Sequence, residues 1–94
     1  MVKIKQISSG EGWVGEINGK KVAIYNNNGQ LTVLENVCTH RRCKTGWNSA
    51  EKSWDCPCHG SRFNTDGSVL RGPAKEPLVK LHHTLEGETI NVAE

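Results

Sequence analysis

The sequence has little of what marks a membrane protein, a nucleic-acid binder or a large enzyme. Net charge is only +2, from 12 basic and 10 acidic side chains, so no field of one sign recommends nucleic acid as a partner. The longest uninterrupted apolar run is Val22-Ala23-Ile24-Tyr25, far short of a membrane segment or the core of a secretory signal. With neither, the expected compartment is cytoplasmic. Aromatic residues make up 5% of the chain, and no window keeps a helical period. A chain of 94 residues holds one domain and has no room for a second cofactor domain. Domains this small often need a metal or a disulfide to complete a thin core.

What the chain does hold is sulfur and imidazole. There are four cysteines and four histidines, and every cysteine falls between positions 38 and 58. A disulfide-stapled secreted domain would spread its cysteines along the chain and would not place a histidine beside each cluster. Soft thiolate and imidazole donors gathered in this way are the pattern of a metal site. They form two boxes, C-x-H (Cys38, His40) and C-x-x-H (Cys56, His59), with Cys43 and Cys58 beside them. Zinc fingers and ribbons offer C-x₂₋₄-C or H-x₃₋₅-H pairs instead. One thiolate and one imidazole per loop suits a binuclear iron–sulfur centre, the cysteines on one iron and the histidines on the other. A structural zinc module using the same four donors is the alternative. A thiol oxidoreductase using Cys43 and Cys58 lacks the usual C-x-x-C at a helix start.

The rest of the chain reads as strands and tight turns. Lys3–Ile7 is a strand candidate, and Trp13–Ile17 and Lys21–Tyr25 flank Asn18-Gly19, the preferred pair of a type I′ hairpin. Asn27-Asn28-Gly29 turns into a third strand, Gln30–Leu34. Asp66-Gly67 sits between strand candidates Ser61–Asn64 and Val69–Leu70, and Leu78–His82 and Glu88–Val92 close the chain around Leu85-Glu86-Gly87. Gly72-Pro73 and Pro77 forbid a helix there. The expected fold is all-β. Residues 1–35 and 76–94 form an antiparallel β-sandwich scaffold, and a loop-rich lobe over 36–75 carries the donors. Trp13, Trp47 and Trp54 read as packing, and His82 and His83 as surface or half-buried side chains outside both boxes.

The stretches Cys38-Thr39-His40-Arg41-Arg42-Cys43 and Trp54-Asp55-Cys56-Pro57-Cys58-His59-Gly60-Ser61-Arg62-Phe63, continued by Gly72-Pro73-Ala74, resemble the boxes of the disulfide-bearing Rieske [2Fe–2S] domains. They are closest to small bacterial domains found alone or at the C-terminus of flavin-dependent oxidoreductases. The resemblance implies one [2Fe–2S] cluster, with Cys38 and Cys56 on the inner iron and His40 and His59 on the outer. It also implies a Cys43–Cys58 bridge between the two loops. The implied function is one-electron transfer, as a ferredoxin or relay, to a redox protein or flavoprotein domain; catalysis would be left to that partner. Imidazole in place of thiolate makes such a cluster less negative, so it accepts an electron more readily and couples the electron to a proton.

By the same resemblance, Ser61 occupies the place of a hydroxyl that donates to a bridging sulfide. Phe63 stands where high-potential members carry a tyrosine that donates to a cysteine sulfur. One donor is present and one is missing, which implies a potential below that of the quinol-oxidising proteins. Gly72 and Pro73 match the loop that covers the cluster. Arg41 and Arg42 replace a hydrophobic-plus-glycine pair. They read either as a docking patch for an acidic redox partner or as solvated loop arginines.

Overall fold

The computed structural model describes residues 2–39 and 43–92, which form nine short antiparallel strands. Strands β1 (Gly12–Ile17), β2 (Lys20–Asn27) and β3 (Gln30–Glu35) make a meander in the order β1-β2-β3. Asn18 (φ 53°) and Gly19 (φ 78°) supply the two left-handed positions that the β1–β2 turn needs. Asn28 and Gly29 do the same for β2–β3. Strands β4 (Gly46–Asn48), β5 (Ser53–Asp55), β6 (Arg62–Phe63) and β7 (Val69–Arg71) form a second sheet, and β8 (His83–Glu86) and β9 (Thr89–Val92) a closing hairpin.

The meander is the middle layer. Successive strand residues face opposite ways, so the paired Ile24 and Val33 share one face and the paired Ala23 and Leu34 the other. The first face, with Val22, packs on Ile7, Ile17, Ile90 and Val92. The second packs on Cys38, Trp54, Cys56, Phe63, Ala74 and Leu78. That is why β2 reads as the longest apolar run: Val22, Ala23 and Ile24 are each fully buried, with a core on either side.

Two expected strands are corrected. Lys3–Ile7 is not a strand but contains a single 3₁₀ turn, Ile4–Gln6, with Lys3 bridged only to Thr89. The Gln6 side chain accepts from the Lys3 amide at 2.8 Å, and the Gln6 amide donates to the Lys3 carbonyl at 2.9 Å. Local polar bonds thus outcompete extension. Leu78–His82 does not pair with β9. Its backbone is spent instead on Gly67 and on the edge of β3, through Leu78 N to Gly67 O (2.9 Å), Glu35 N to Val79 O (2.8 Å) and Leu81 N to Val33 O (2.8 Å). Pairing with β9 starts only at His83, and the final turn falls at Gly87–Glu88, one residue later than expected. The β4–β5 hairpin is unforeseen, because three-residue strands are too short to show a period.

The middle layer is fastened to β4–β5 by one carboxylate. Glu11 Oε1 accepts from Trp47 Nε1 (3.0 Å) and Ser49 Oγ (2.7 Å), and Glu11 Oε2 from Lys52 Nζ (2.6 Å). These bonds, the one from Lys52 foremost, hold the Glu11 carboxyl down at about 2 from an ordinary 4.5. Beside it, β1 comes so near the tryptophans that a Cβ on Gly12 would lie 2.6 Å from both Trp47 and Trp54.

Two outcomes follow from this junction. Gly12→Ala should lower stability by about 1–3 kcal/mol in a denaturant titration, since both indoles must shift to admit the methyl. The folded-state pKa of Glu11 is depressed, so its contribution is complete above the ordinary value of 4.5 and is lost as pH falls through about 2. Glu11→Gln should therefore flatten the acid limb of stability against pH, and an unchanged limb would show that the brace does not act.

Candidate metal centre

Each donor loop is closed at its base. In the first, buried Asn36 accepts at Oδ1 from the Thr45 amide (2.8 Å) and the Thr45 hydroxyl (2.6 Å). Its own amide group donates back to the Thr45 carbonyl at 3.2 Å. Inside that lock the Cys38 amide donates to the Cys43 carbonyl at 2.6 Å. In the second loop the Cys56 amide donates to the Ser61 carbonyl (2.8 Å) and the Gly60 amide to the Cys56 carbonyl (3.1 Å). Gly60, at φ 79°, takes the left-handed position that reverses the chain after His59. Asp55 anchors the strand that enters this loop. Burial pushes its carboxyl up, but bonds from Ser53, Asn48 and Arg62 outweigh that and hold it below the usual range.

A Cys43–Cys58 disulfide, with Cα atoms 6.5 Å apart, joins the two loops across a sequence separation of 15. A loop of that length contributes roughly 3 kcal/mol in the chain-entropy account. A third segment covers them. The Ala74 amide donates to Ser61 Oγ at 3.1 Å, inside the core, and the Thr39 hydroxyl donates to the Glu76 carbonyl at 2.6 Å. Gly72-Pro73 is exposed at the turn of this strap, while Ala74 and Leu78 are buried under it.

Cys38 and Cys56 are the two cysteines outside the disulfide, 1% and 2% exposed. Burial pushes the Cys56 thiol up, and the adjacent Cys38 thiol, hydrogen-bonded to it, pushes the same way. Against both, the backbone N–H groups of Cys58 and His59 donate to the Cys56 sulfur. Two touching, buried thiols, one already collecting amide donors, suit a metal that takes both as thiolates. The sulfur atoms of Cys43, Cys56 and Cys58 also lie within 4.8 Å of one another, but two of the three are bonded to each other and unavailable as ligands. His59 sits at the exposed tip of the second loop. His40, Arg41 and Arg42 lie outside the described residues.

The structure therefore gathers Cys38, Cys56, His59, Ser61, Phe63 and the Gly72-Pro73 strap about the two loops joined by Cys43–Cys58. His82 is exposed and His83 half-buried, its pKa pushed down by burial and then by the His82 charge. Sequence reasoning missed the Asn36–Thr45 lock, the Thr39 tie and the Glu11 brace. Each depends on a partner that only the folded chain brings near. The nearest signal was a polar Asn36 ending an apolar strand just before the first box.

Residues 1–84 match the Rieske [2Fe-2S] domain family. The chain is 43% identical over 81 residues to the Rieske 2Fe-2S iron-sulfur protein YhfW of Bacillus subtilis, an alignment covering 85% of this chain and 16% of that protein. It is 32% identical over 91 residues to the cytochrome b6-f complex iron-sulfur subunit of Chlorobaculum thiosulfatiphilum, covering 97% of this chain and 50% of the subunit. The chain thus spans half or less of the length of these relatives. The fold superposes on the plasma membrane Rieske protein PetC3 of Synechocystis PCC 6803 with a TM-score of 0.77 at 32% identity, covering 88% of this chain and 86% of that one. Among the described residues no helix is long and apolar enough to cross a membrane. The all-β fold, the disulfide-linked loops with their paired thiols, and the family match over most of the length make this chain a member of the Rieske [2Fe-2S] domain family.

Proposed function

We propose that this domain carries single electrons for a partner oxidoreductase, with Cys38 and Cys56 holding one iron of a [2Fe–2S] cluster and His40 and His59 the other. The observation that carries the reading is the meeting of the two buried thiols from disulfide-linked loops, with His59 at the exposed tip beside them. The bound group supplies reversible one-electron chemistry at a potential raised by its imidazole ligands. The chain supplies the surroundings. Amides of Cys58 and His59 favour negative charge on the Cys56 sulfur. Ser61 accepts from Ala74, which leaves its own proton for a sulfur acceptor, and Phe63 withholds the donor a tyrosine would add. Gly72, Pro73 and the residues under them keep water from the inner sulfurs.

In this reading residues 1–35 and 76–94 are the scaffold and 36–75 the cluster-binding lobe of one domain. Cys38, Cys56, His40 and His59 are all spent on the metal in this reading, so substrate chemistry belongs to the partner, a flavoprotein or another redox protein. Arg41 and Arg42 follow a ligand and suit an acidic docking surface on that partner. A flavoprotein partner goes with a cytoplasmic domain, whereas a partner of the kind named for the Chlorobaculum relative goes with a membrane surface. The structural-zinc alternative gains nothing from the family match.

Anaerobic reconstitution with iron and sulfide should give a red-brown protein with a low-average-g paramagnetic signal on reduction, and Cys56→Ser or His59→Ala should abolish it. A colourless protein binding one zinc per chain would overturn the reading. In voltammetry Phe63→Tyr should raise the potential by about the worth of one hydrogen bond, ~1 kcal/mol. No rise would remove Phe63 from the tuning set.

A further inference from the structure

Trp54 carries the one buried side-chain nitrogen or oxygen without a hydrogen-bond partner among the described residues, its indole Nε1. The residue is 0% exposed, so bulk water does not reach it. A buried donor left unmatched costs its full desolvation, and native proteins seldom tolerate one. Its surroundings narrow the choice of acceptor. Trp54 packs with Ala23, Leu34, Cys38, Cys56, Phe63, Ala74 and Leu78, with Tyr25, Cys43, Trp47 and Val69 at the margin. Apart from cysteine sulfur, the side-chain polar atoms in that group belong to Tyr25 and Trp47. The Trp47 N–H is a donor already given to Glu11. The Trp47 ring meets both others at a tilt, its centroid 5.6 Å from that of Tyr25 and 4.7 Å from that of Trp54. No acceptor among the described residues meets the indole N–H; the candidates in this core are the sulfurs of Cys38 and Cys56, beside the Tyr25 hydroxyl and the Ser61 oxygen, which already accepts from Ala74.

Register adds a second observation. Trp54 on β5 is the direct cross-strand partner of Phe63 on β6, and directly paired residues point to the same face. Phe63 is the position where a tyrosine hydroxyl is missing. The Trp54 and Phe63 side chains therefore lie side by side on one face of the sheet. Assembly of a cluster turns the Cys38 and Cys56 thiols into thiolates and adds sulfide, which brings acceptors into the very core where a donor has none.

We propose that the Trp54 indole N–H donates a hydrogen bond to a sulfur of the bound cluster, thiolate or sulfide, and raises its potential in place of the absent tyrosine hydroxyl. This role rests on the cluster and ligand set proposed above. A donor to sulfur favours the more negative, reduced state, so its removal must lower the potential.

The test uses the reconstituted protein grown on tryptophan carrying ¹⁵N in the indole ring. Pulsed paramagnetic resonance of the reduced protein should show a ¹⁵N coupling that disappears in Trp54→Phe, which keeps an aromatic ring and loses the N–H. Voltammetry of the same variant should show a downward shift equivalent to roughly tenfold in the reduction equilibrium constant. A low-average-g signal with no ¹⁵N coupling would overturn the proposal, as would a potential unchanged on substitution; an ordered water would then be the acceptor. If Trp54→Phe fails to load, the coupling in the labelled wild-type protein decides alone. Absence of the low-average-g signal altogether would instead sink the cluster reading itself.

Discussion

Sulfur donors on separate loops stay together only if each loop is stiff at its base, because a mobile loop would trade the contact for conformational freedom. Cys38 and Cys56 meet under that constraint. The Asn36–Thr45 lock fixes the first loop and the Cys56–Ser61 bonds the second, so neither cysteine depends on the metal for its approximate position. The disulfide sets the distance between the loops, and the Ser61 and Thr39 hydroxyls draw the strap over them. The Asn36, Thr45 and Ser61 ties use buried polar groups that would otherwise be stranded in the lobe. Rigidity and hydrogen-bond satisfaction are here the same property.

The middle sheet serves two cores, and its composition records both demands. On the face away from the donors, Val22, Ile24 and Val33 are bulky and branched and carry ordinary packing against Ile90 and Val92. On the donor face the small Ala23 stands beside Leu34, which leaves depth for Trp54, Phe63 and the two cysteines. Gly12 continues that economy of volume at the edge, where two indoles occupy the space of its missing side chain. A thin apolar composition thus suffices, since sulfur and disulfide fill part of what a hydrophobic core would hold.

Much of this was legible in the chain because its signals are local. Asn18-Gly19 announces a turn by the φ angles it tolerates, and the two boxes announce a metal by donor type and spacing. The elements that were misread fail for a common reason. Lys3–Ile7 and Leu78–His82 have strand-like composition, yet their backbone bonds are decided by Gln6 in one case and by the free edge of β3 in the other. The hydroxyls and amides that organise the site were invisible in the same way. Thr39 could have faced solvent as readily as the Glu76 carbonyl, and nothing near it in sequence says which. Side chains of this kind acquire a role only from a partner beyond their own turn or strand, from 9 residues away for Asn36 to 37 for Thr39.

The β8–β9 hairpin lies across the middle sheet from the donor loops, and its turn at Gly87 is exposed. Anything attached there approaches from the back. A tether to a surface, an electrode linker or a fused domain joined at that turn would leave His59 and the strap facing outward. The fold thereby separates the side by which the protein can be held from the side through which electrons would pass.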